Sequence, residues 1–189
     1  EVDPVAEVRY IPTIFTWEEV EKQLQSVALG KAAGTDGIMG EFYRYGGETM
    51  VTMIHYLVGK IGERGGVPSE WRQALITLGF KNKGSDQEAK NYRPIALTCV
   101  ARRLYERLLL RRLQPFTSQL SDIQGGFRPR RSTLDQCVAL AEVMLNRPHL
   151  HQVFLDFRAA YDLVNRKVLW RRMSIRFGVP AELITLLQD

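Results

Sequence analysis

The chain has 189 residues, of which 45% are hydrophobic and 25% are charged. This composition is that of a globular protein of about one domain, and it excludes a disordered tail, a collagen-like fibre and a low-complexity array. The net charge of +5 is unevenly distributed, because residues 81–131 hold 12 Lys or Arg against 4 Asp or Glu, whereas residues 1–80 are net negative. Such a basic block attracts polyanions, of which nucleic acid is the commonest; the alternative is an arginine-rich surface that serves solubility.

The sequence predicts neither a membrane span nor a signal peptide. Its apolar stretches are far shorter than the ~20 residues that cross a bilayer, so we expect no membrane span. The acidic start, Glu1–Pro4, is unlike a signal peptide, and two cysteines are too few for a disulfide framework, which together predict an intracellular protein. The first residue is not Met, and the sequence stops after an apolar helical run without a glycine or proline, so we expect a piece of something longer.

Helix signals dominate the first third of the chain. Thr16–Glu19 reads as a capping box, and apolar residues follow at helical spacing until Gly30. A glycine-punctuated loop over residues 30–37 comes next. Residues 40–45 predict a short helix, and a longer helix then carries the apolar residues from Met50 to Ile61 on one side.

A hairpin and a basic helix occupy the middle of the chain. Residues 74–80 and the residues around 93–97 predict two strands, and the polar residues 81–91 between them predict a charged hairpin tip. Residues 100–113 predict a helix with Leu104, Leu108 and Leu113 toward the core and five arginines on its other surfaces.

The last third alternates loop, helix and strand signals. Residues 118–129 predict a loop, Ser132 caps a helix to about Asn146, and residues 151–157 predict a short strand with a buried apolar segment. Asp162 can cap a further helix through Arg176, which Gly178 and Pro180 end. The fold class predicted for the whole chain is α+β, rich in helices, with one β-hairpin and a short strand.

Asp156 is the most informative single residue because it follows the apolar residues Val153–Leu155. A buried, ionised carboxylate needs a compensating partner, and magnesium is a hard cation that prefers carboxylate oxygen. The alternative is an aspartate at the end of a strand that accepts backbone hydrogen bonds or pairs with arginine. The residue by itself favours this alternative.

Four motifs change that balance by their order along the chain. Residues 156–166 (Asp-Phe-Arg-Ala-Ala-Tyr-Asp-Leu-Val-Asn-Arg) resemble the first catalytic motif of reverse transcriptases, above all those of non-LTR (LINE-type) retrotransposons and their group II intron relatives. Upstream, residues 91–97 (Asn-Tyr-Arg-Pro-Ile-Ala-Leu) and residues 124–133 (Gln-Gly-Gly-Phe-Arg-Pro-Arg-Arg-Ser-Thr) are similar to two further motifs of the family. Residues 30–37 (Gly-Lys-Ala-Ala-Gly-Thr-Asp-Gly), followed by Glu41, resemble a fourth.

The resemblance implies a right-hand polymerase fold, of which this chain would hold the fingers and the start of the palm. Residues 1–15 would be an N-terminal extension, residues 16–147 the fingers with the basic block 81–131, and residues 148–189 the beginning of the palm. The implied activity is RNA-directed DNA polymerisation, in which two Mg²⁺ ions assist the transfer of dNTPs to a DNA primer on an RNA template. The implied setting is a nuclear or cytoplasmic ribonucleoprotein.

The resemblance also implies roles for individual residues. Asp156 and the backbone carbonyl of Phe157 would be magnesium ligands, and Tyr161 would pack under the incoming sugar and reject a 2′-hydroxyl; a buried tyrosine is the alternative. Arg93, with Lys81 and Lys83 in a less certain register, would contact the triphosphate. Contact with the template backbone would come from the basic helix and the glycine-arginine loop, at Arg102, Arg103, Gly126, Arg128, Arg130 and Arg131. Asp162 suits a helix cap better than a metal ligand.

One expected motif is missing, because the sequence contains no Asp-Asp pair. The family carries its second aspartate pair in an aromatic-Ala-Asp-Asp turn, so the chain is predicted not to polymerise by itself. Two alternatives remain open: a non-catalytic nucleic-acid-binding scaffold derived from a reverse transcriptase, and a protein-interaction module whose nucleic-acid affinity would lack a steep salt dependence.

Overall fold

A computed structural model describes residues 15–147, 149–157, 160–161 and 163–188. They form a helix-rich α+β arrangement with one small antiparallel sheet, which confirms the predicted fold class at that level. No helix among the described residues is long and apolar enough to cross a membrane.

The described residues form seven α-helices and two strands. In chain order they are α1 (Trp17–Gln25), α2 (Gly40–Tyr45), α3 (Gly47–Arg64), β1 (Leu75–Phe80), β2 (Tyr92–Leu97), α4 (Val100–Leu113), α5 (Thr133–Asn146), α6 (Arg166–Phe177) and α7 (Ala181–Gln188). Short 3₁₀ turns cover Ser69–Arg72, Ala89–Asn91 and Gln114–Gln119.

The chain divides into two compact units. The first unit contains the described residues up to Gln114 together with those from Gly178 onward, and the second unit contains Pro115–Phe177. The predicted fingers and palm boundaries are polymerase subdomain assignments and stay predictions.

The first unit has a well-packed apolar core. Helix α1 begins with the predicted capping box, in which the Thr16 hydroxyl accepts from the Glu19 amide and the Glu19 carboxylate accepts from the Thr16 amide. The core lies between α1, α3, α4 and α7, and its most enclosed side chains include Val20, Val58 and Leu108. Leu104 is also buried as predicted, whereas Leu113 is only half-buried.

The second unit has no buried residue among its described positions. Helix α5 begins at the predicted Ser132 cap, yet all of its residues are exposed. Helix α6 begins at Arg166, four residues after the predicted cap Asp162, which lies outside the described residues.

Two predictions about local structure were wrong. Helix α1 ends at Gln25 and not at Gly30, because the Ser26 hydroxyl donates to the Gln23 carbonyl and the Val27 amide donates to the Leu24 carbonyl instead. Residues 151–157 do not form a strand, and Val153, Phe154 and Leu155 are each about four-fifths exposed. A strand needs a neighbour for its backbone hydrogen bonds, and the described residues supply none to this segment.

Candidate nucleic-acid interface

The hairpin positions Arg93 beside a glycine. Strands β1 and β2 pair in antiparallel register, with Gly79 opposite Arg93, Thr77 opposite Ile95 and Phe80 opposite Tyr92. Directly opposed residues share a face of the sheet, so Arg93 has a neighbour without a side chain. A Cβ at residue 79 would lie 3.0 Å from the Ile95 Cδ1. Glycine therefore makes space for the Ile95 side chain on the hairpin face that carries Arg93, and the Arg93 side chain itself is exposed.

The two predicted lysines of the hairpin differ in their surroundings. Lys81 follows the last paired residue of β1, and its ammonium donates to the carbonyl of Lys90. Lys83 lies in the exposed tip, next to Gly84, which has a φ of +80°. The side-chain amide of Asn91 donates to the Ser85 carbonyl at 2.7 Å and fixes the other side of the tip. Of the two lysines, Lys83 is therefore the better placed to meet a phosphate.

The loop over residues 30–37 is held against α4. The Glu41 carboxylate accepts from the Gly30 amide at 2.6 Å, and this hydrogen bond, with that of its own amide, lowers the pKa of Glu41. At the other end of the loop, Gly34 lies against the backbone of Thr98 and Cys99, immediately before α4. Burial raises the pKa of the Cys99 thiol.

A basic cavity of about 290 Å³ opens between this loop and α4. Lys31, Arg103 and Arg107 line it, over an apolar floor that includes Val27 and Leu104. The sequence motif pointed to the loop and the charge pattern pointed to α4, but neither signal showed that Lys31 and Arg107 share a cavity. Only the packing of the loop on the helix reveals it.

Two arginines predicted to contact nucleic acid have partners within the first unit. Arg102 donates to the Trp71 carbonyl and forms an ion pair with Glu106 at 2.7 Å. Arg103 donates to the Ala32 carbonyl at 3.2 Å. Each guanidinium thus uses some of its donors to hold α4 to neighbouring segments. The nucleic-acid role of both residues stays a prediction.

The glycine-arginine loop of the second unit presents its three arginines unequally. Arg128 donates to the Ser121 carbonyl at 2.9 Å, and it shares the Asp122 carboxylate with Arg131 at distances of 3.7 and 3.3 Å. Arg130 is exposed and has a φ of +61°. No atom within the described residues would contact a Cβ at Gly126, so the backbone there is open to close approach.

The described residues of the predicted catalytic motif belong to the same unit as this loop. Asp156 is exposed, and the side chains of Phe157 and Tyr161 are 80% and 77% exposed. The Tyr161 ring meets the Phe127 ring edge to face, with 6.5 Å between the centroids. Two motifs that are separated along the chain are thus in direct contact, and Tyr161 is not the buried tyrosine of the alternative interpretation.

The residues present supply only part of a magnesium site. Carboxylate and carbonyl oxygens, as at Asp156 and Phe157, are suitable magnesium ligands. However, no group of three or more His, Cys, Asp or Glu side chains comes together among the described residues. Asp156 is therefore not part of a cluster of three such side chains in the described ranges.

The structure gathers the predicted residues in two places. The hairpin of the first unit carries Lys81, Lys83 and Arg93. Helix α4 of the same unit carries Arg102 and Arg103. The second unit holds the predicted metal ligands, the predicted sugar contact and the glycine-arginine loop, namely Asp156, Phe157, Tyr161, Gly126, Arg128, Arg130 and Arg131.

Comparison with known proteins gives one family. Residues 80–187 match a family model described as reverse transcriptase (RNA-dependent DNA polymerase). The chain is 26% identical over 170 residues to a probable RNA-directed DNA polymerase from transposon BS of Drosophila melanogaster, with 86% of this chain and 19% of that protein covered. It is 27% identical over 156 residues to the RNA-directed DNA polymerase from mobile element jockey of the same organism, with 79% and 17% covered. The chain thus spans less than a fifth of the length of these curated relatives.

Proposed function

Since the chain belongs to the reverse transcriptase family and resembles its non-LTR (LINE-type) members, we propose that it is part of an RNA-directed DNA polymerase. The complete enzyme extends a DNA primer with dNTPs on an RNA template, with magnesium as its metal. In this proposal residues 16–147 are the fingers and residues 148–189 begin the palm. Its setting is an intracellular ribonucleoprotein.

The contact between Phe127 and Tyr161 carries the proposal. Each ring belongs to a different family motif, and chance resemblance gives no reason for the two motifs to meet in space. An exposed tyrosine against a second aromatic ring offers a flat apolar edge on which a ribose can rest. Tyr161 in this position is suited to sensing whether the sugar carries a 2′-hydroxyl.

The hairpin supplies the cations for the triphosphate. Arg93 is exposed on the hairpin, and a guanidinium can grip phosphate oxygens through two parallel hydrogen bonds. Lys83 adds an exposed charge at the tip, whereas the ammonium of Lys81 is held by the Lys90 carbonyl. We assign triphosphate contact to Arg93 first, Lys83 second and Lys81 last.

The metal ligand in this part of the enzyme is Asp156, with the Phe157 carbonyl beside it in the chain. Further carboxylates complete the site, and their place in the family is the aromatic-Ala-Asp-Asp turn. A scaffold that binds nucleic acid without catalysis is the second candidate, and it is favoured by the absence of a metal-binding side-chain cluster from the described residues.

Primer extension with Mg²⁺ separates these two functions. We expect none from the 189-residue chain, and extension from a native polypeptide that continues through an aromatic-Ala-Asp-Asp turn. In that polypeptide, Asp156→Asn should abolish extension while RNA binding persists. Glu142→Gln, which neutralises an exposed carboxylate in α5, is the matched control and should leave extension unchanged. A native transcript whose reading frame lacks the Asp-Asp turn, or an Asp156→Asn enzyme with full activity, would overturn the polymerase proposal.

A further inference from the structure

Helix α6 is strongly basic, and the sequence motifs assign it no function. Its 12 residues include Arg166, Lys167, Arg171, Arg172 and Arg176 and no acidic residue. The net charge of residues 132–189 does not reveal this basic helix, because 7 Lys or Arg are offset there by 6 Asp or Glu. Only the bounds of the helix show that its five cations are concentrated in one element.

The apolar residues of α6 fix which side of the helix faces outward. Trp170, Met173 and Phe177 are half-buried, and their spacing of three and four residues puts them on one face. The Gln119 side-chain amide donates to the Phe177 carbonyl at 3.2 Å and holds the end of the helix within the second unit. Val168 and Ile175, which are 50% and 73% exposed, lie on the opposite face.

That outward face forms a groove of about 340 Å³. Its lining consists of Val168, Ile175, Arg171, Arg172 and Arg176. Helical spacing puts Arg171 on one side of the two apolar residues and the other two arginines on the other side. The surface is therefore an apolar strip with guanidinium groups along both edges.

The three arginines of the groove have no ion-pair partner among the described residues, since no carboxylate there lies within ion-pair distance of Arg171, Arg172 or Arg176. Arg128 and Arg131, by contrast, share the Asp122 carboxylate. Three guanidinium groups close together on one helix repel one another, and an anionic ligand relieves this repulsion.

We propose that the outward groove of α6 binds the sugar-phosphate backbone of a single RNA strand. Phosphates pair with the three arginines, and the sugars between them rest on Val168 and Ile175. This proposal deepens the proposed function, on which it rests, by adding an RNA contact outside the family motifs. A membrane is a poorer fit, because interfacial helices bury a broad apolar face and only two apolar side chains line this groove.

The test measures binding of the 189-residue chain to a fluorescent 20-nucleotide oligouridine at several salt concentrations. The groove variant is Arg171→Gln/Arg172→Gln/Arg176→Gln. Its Kd should rise at least about tenfold near 0.1 M salt, and the slope of log affinity against log salt should shrink by about 2, because each lost phosphate contact removes about 0.7. The lysine version, Arg171→Lys/Arg172→Lys/Arg176→Lys, should retain most of the slope.

The matched control removes the same charge elsewhere. Lys22→Gln/Lys60→Gln/Arg64→Gln alters α1 and α3 of the first unit and should leave the slope almost unchanged. Equal losses in the two glutamine variants, or no loss in the groove variant, would overturn the proposal. So would a loss confined to oligodeoxyuridine or to phosphatidylserine vesicles with RNA binding intact.

Two further results separate this inference from the proposed function. If Arg128→Gln/Arg130→Gln/Arg131→Gln weakens RNA binding and the groove variant does not, the motif loop binds RNA and α6 does not, so only the α6 proposal fails. If the unmodified chain shows no salt-dependent RNA binding, the α6 proposal fails, whereas the proposed function is decided by primer extension from the native polypeptide. Circular dichroism of each variant establishes that its helices are intact.

Discussion

Gly34 shows how a motif glycine can be required for packing. The sequence predicted a glycine-punctuated loop over residues 30–37, and the structure puts Gly34 of that loop against the chain that leads into α4. A Cβ at residue 34 would lie 2.5 Å from the Thr98 carbonyl carbon and from the Cys99 Cα. These are backbone atoms, which cannot rotate away as the end of a long side chain can. The glycine is therefore needed for the loop to approach α4 closely.

We predict that Gly34→Ala lowers the free energy of unfolding by about 1–3 kcal/mol, the usual cost of forcing an extra carbon into a packed site. Gly59→Ala is the matched control, since Gly59 lies inside α3 and a Cβ there meets no atom within 4 Å. It should stabilise by about 0.5–1 kcal/mol, because alanine is the better helix former. Urea unfolding followed by circular dichroism measures both. Equal effects of the two substitutions would show that residue 34 is not closely packed.

Among elements, α1 and α4 are joined by an ion pair in addition to their apolar core contacts. The Arg112 guanidinium donates to both oxygens of Glu19 at 2.7 Å, and it lies 5.1 Å from the centre of the Phe15 ring. Burial raises the pKa of Glu19, but the hydrogen bonds from Arg112 and from the Thr16 amide outweigh it, so the pKa is below its ordinary 4.5. The same carboxylate thus closes the capping box of α1 and binds a helix that is distant in the sequence.

Glu19→Gln should isolate this ion pair, because glutamine can keep the capping box. We expect a loss of about 1–2 kcal/mol at pH 7, in the range of a charge-assisted hydrogen bond. A carboxyl with a lowered folded-state pKa stabilises the fold above about pH 4.5, and this stabilisation is lost as the pH falls through the folded-state pKa. The difference between wild type and variant in urea unfolding should therefore shrink below pH 4.5.

Lys60→Ala serves as the comparison for this variant. Lys60 pairs with Glu63 at 2.6 Å, but both side chains are more exposed than those of Glu19 and Arg112. Exposed pairs contribute about 0–1 kcal/mol, so its loss should be small. A Glu19→Gln difference that stays constant from pH 7 to pH 3 would show that the ion pair does not stabilise the fold.

Sequence patterns predicted elements where local signals and packing agree. The bounds of α4 and α5 match the prediction closely, because α4 carries leucines at helical spacing and α5 begins with a capping box at Ser132. The prediction of a strand over residues 151–157 was wrong. An apolar run indicates that a segment can be buried, but it does not indicate which other segment covers it. The sequence indicated Arg93 and Tyr161 through motifs, but the neighbours Gly79 and Phe127 come from the pairing and folding of distant segments.

At the scale of the whole molecule, the fully buried residues that the structure describes all belong to the first unit. Every buried side chain among the described residues lies between Phe15 and Leu109 or between Val179 and Leu186. Helix α7 therefore belongs to the core of the first unit although the second unit precedes it in the chain, and Leu183 is only 2% exposed. No local sequence signal predicts that the chain comes back to the first unit at α7, because this depends on which apolar surface α7 packs against.

Hydrogen exchange should divide the chain along the same line. Amides open locally with a free energy that depends on the buried contacts around them, so α3 and α4 should exchange slowly and α5 and α6 faster by at least about tenfold. Helix α5 makes the sharper test, because its hydrogen bonds are those of a regular 14-residue helix while its Leu134, Val138 and Leu145 are 69%, 57% and 83% exposed. Deuterium uptake resolved by peptide measures both units in one sample. Protection of α5 equal to that of α4 would mean that the apolar face of α5 is covered in solution, and the two-unit description would then be wrong.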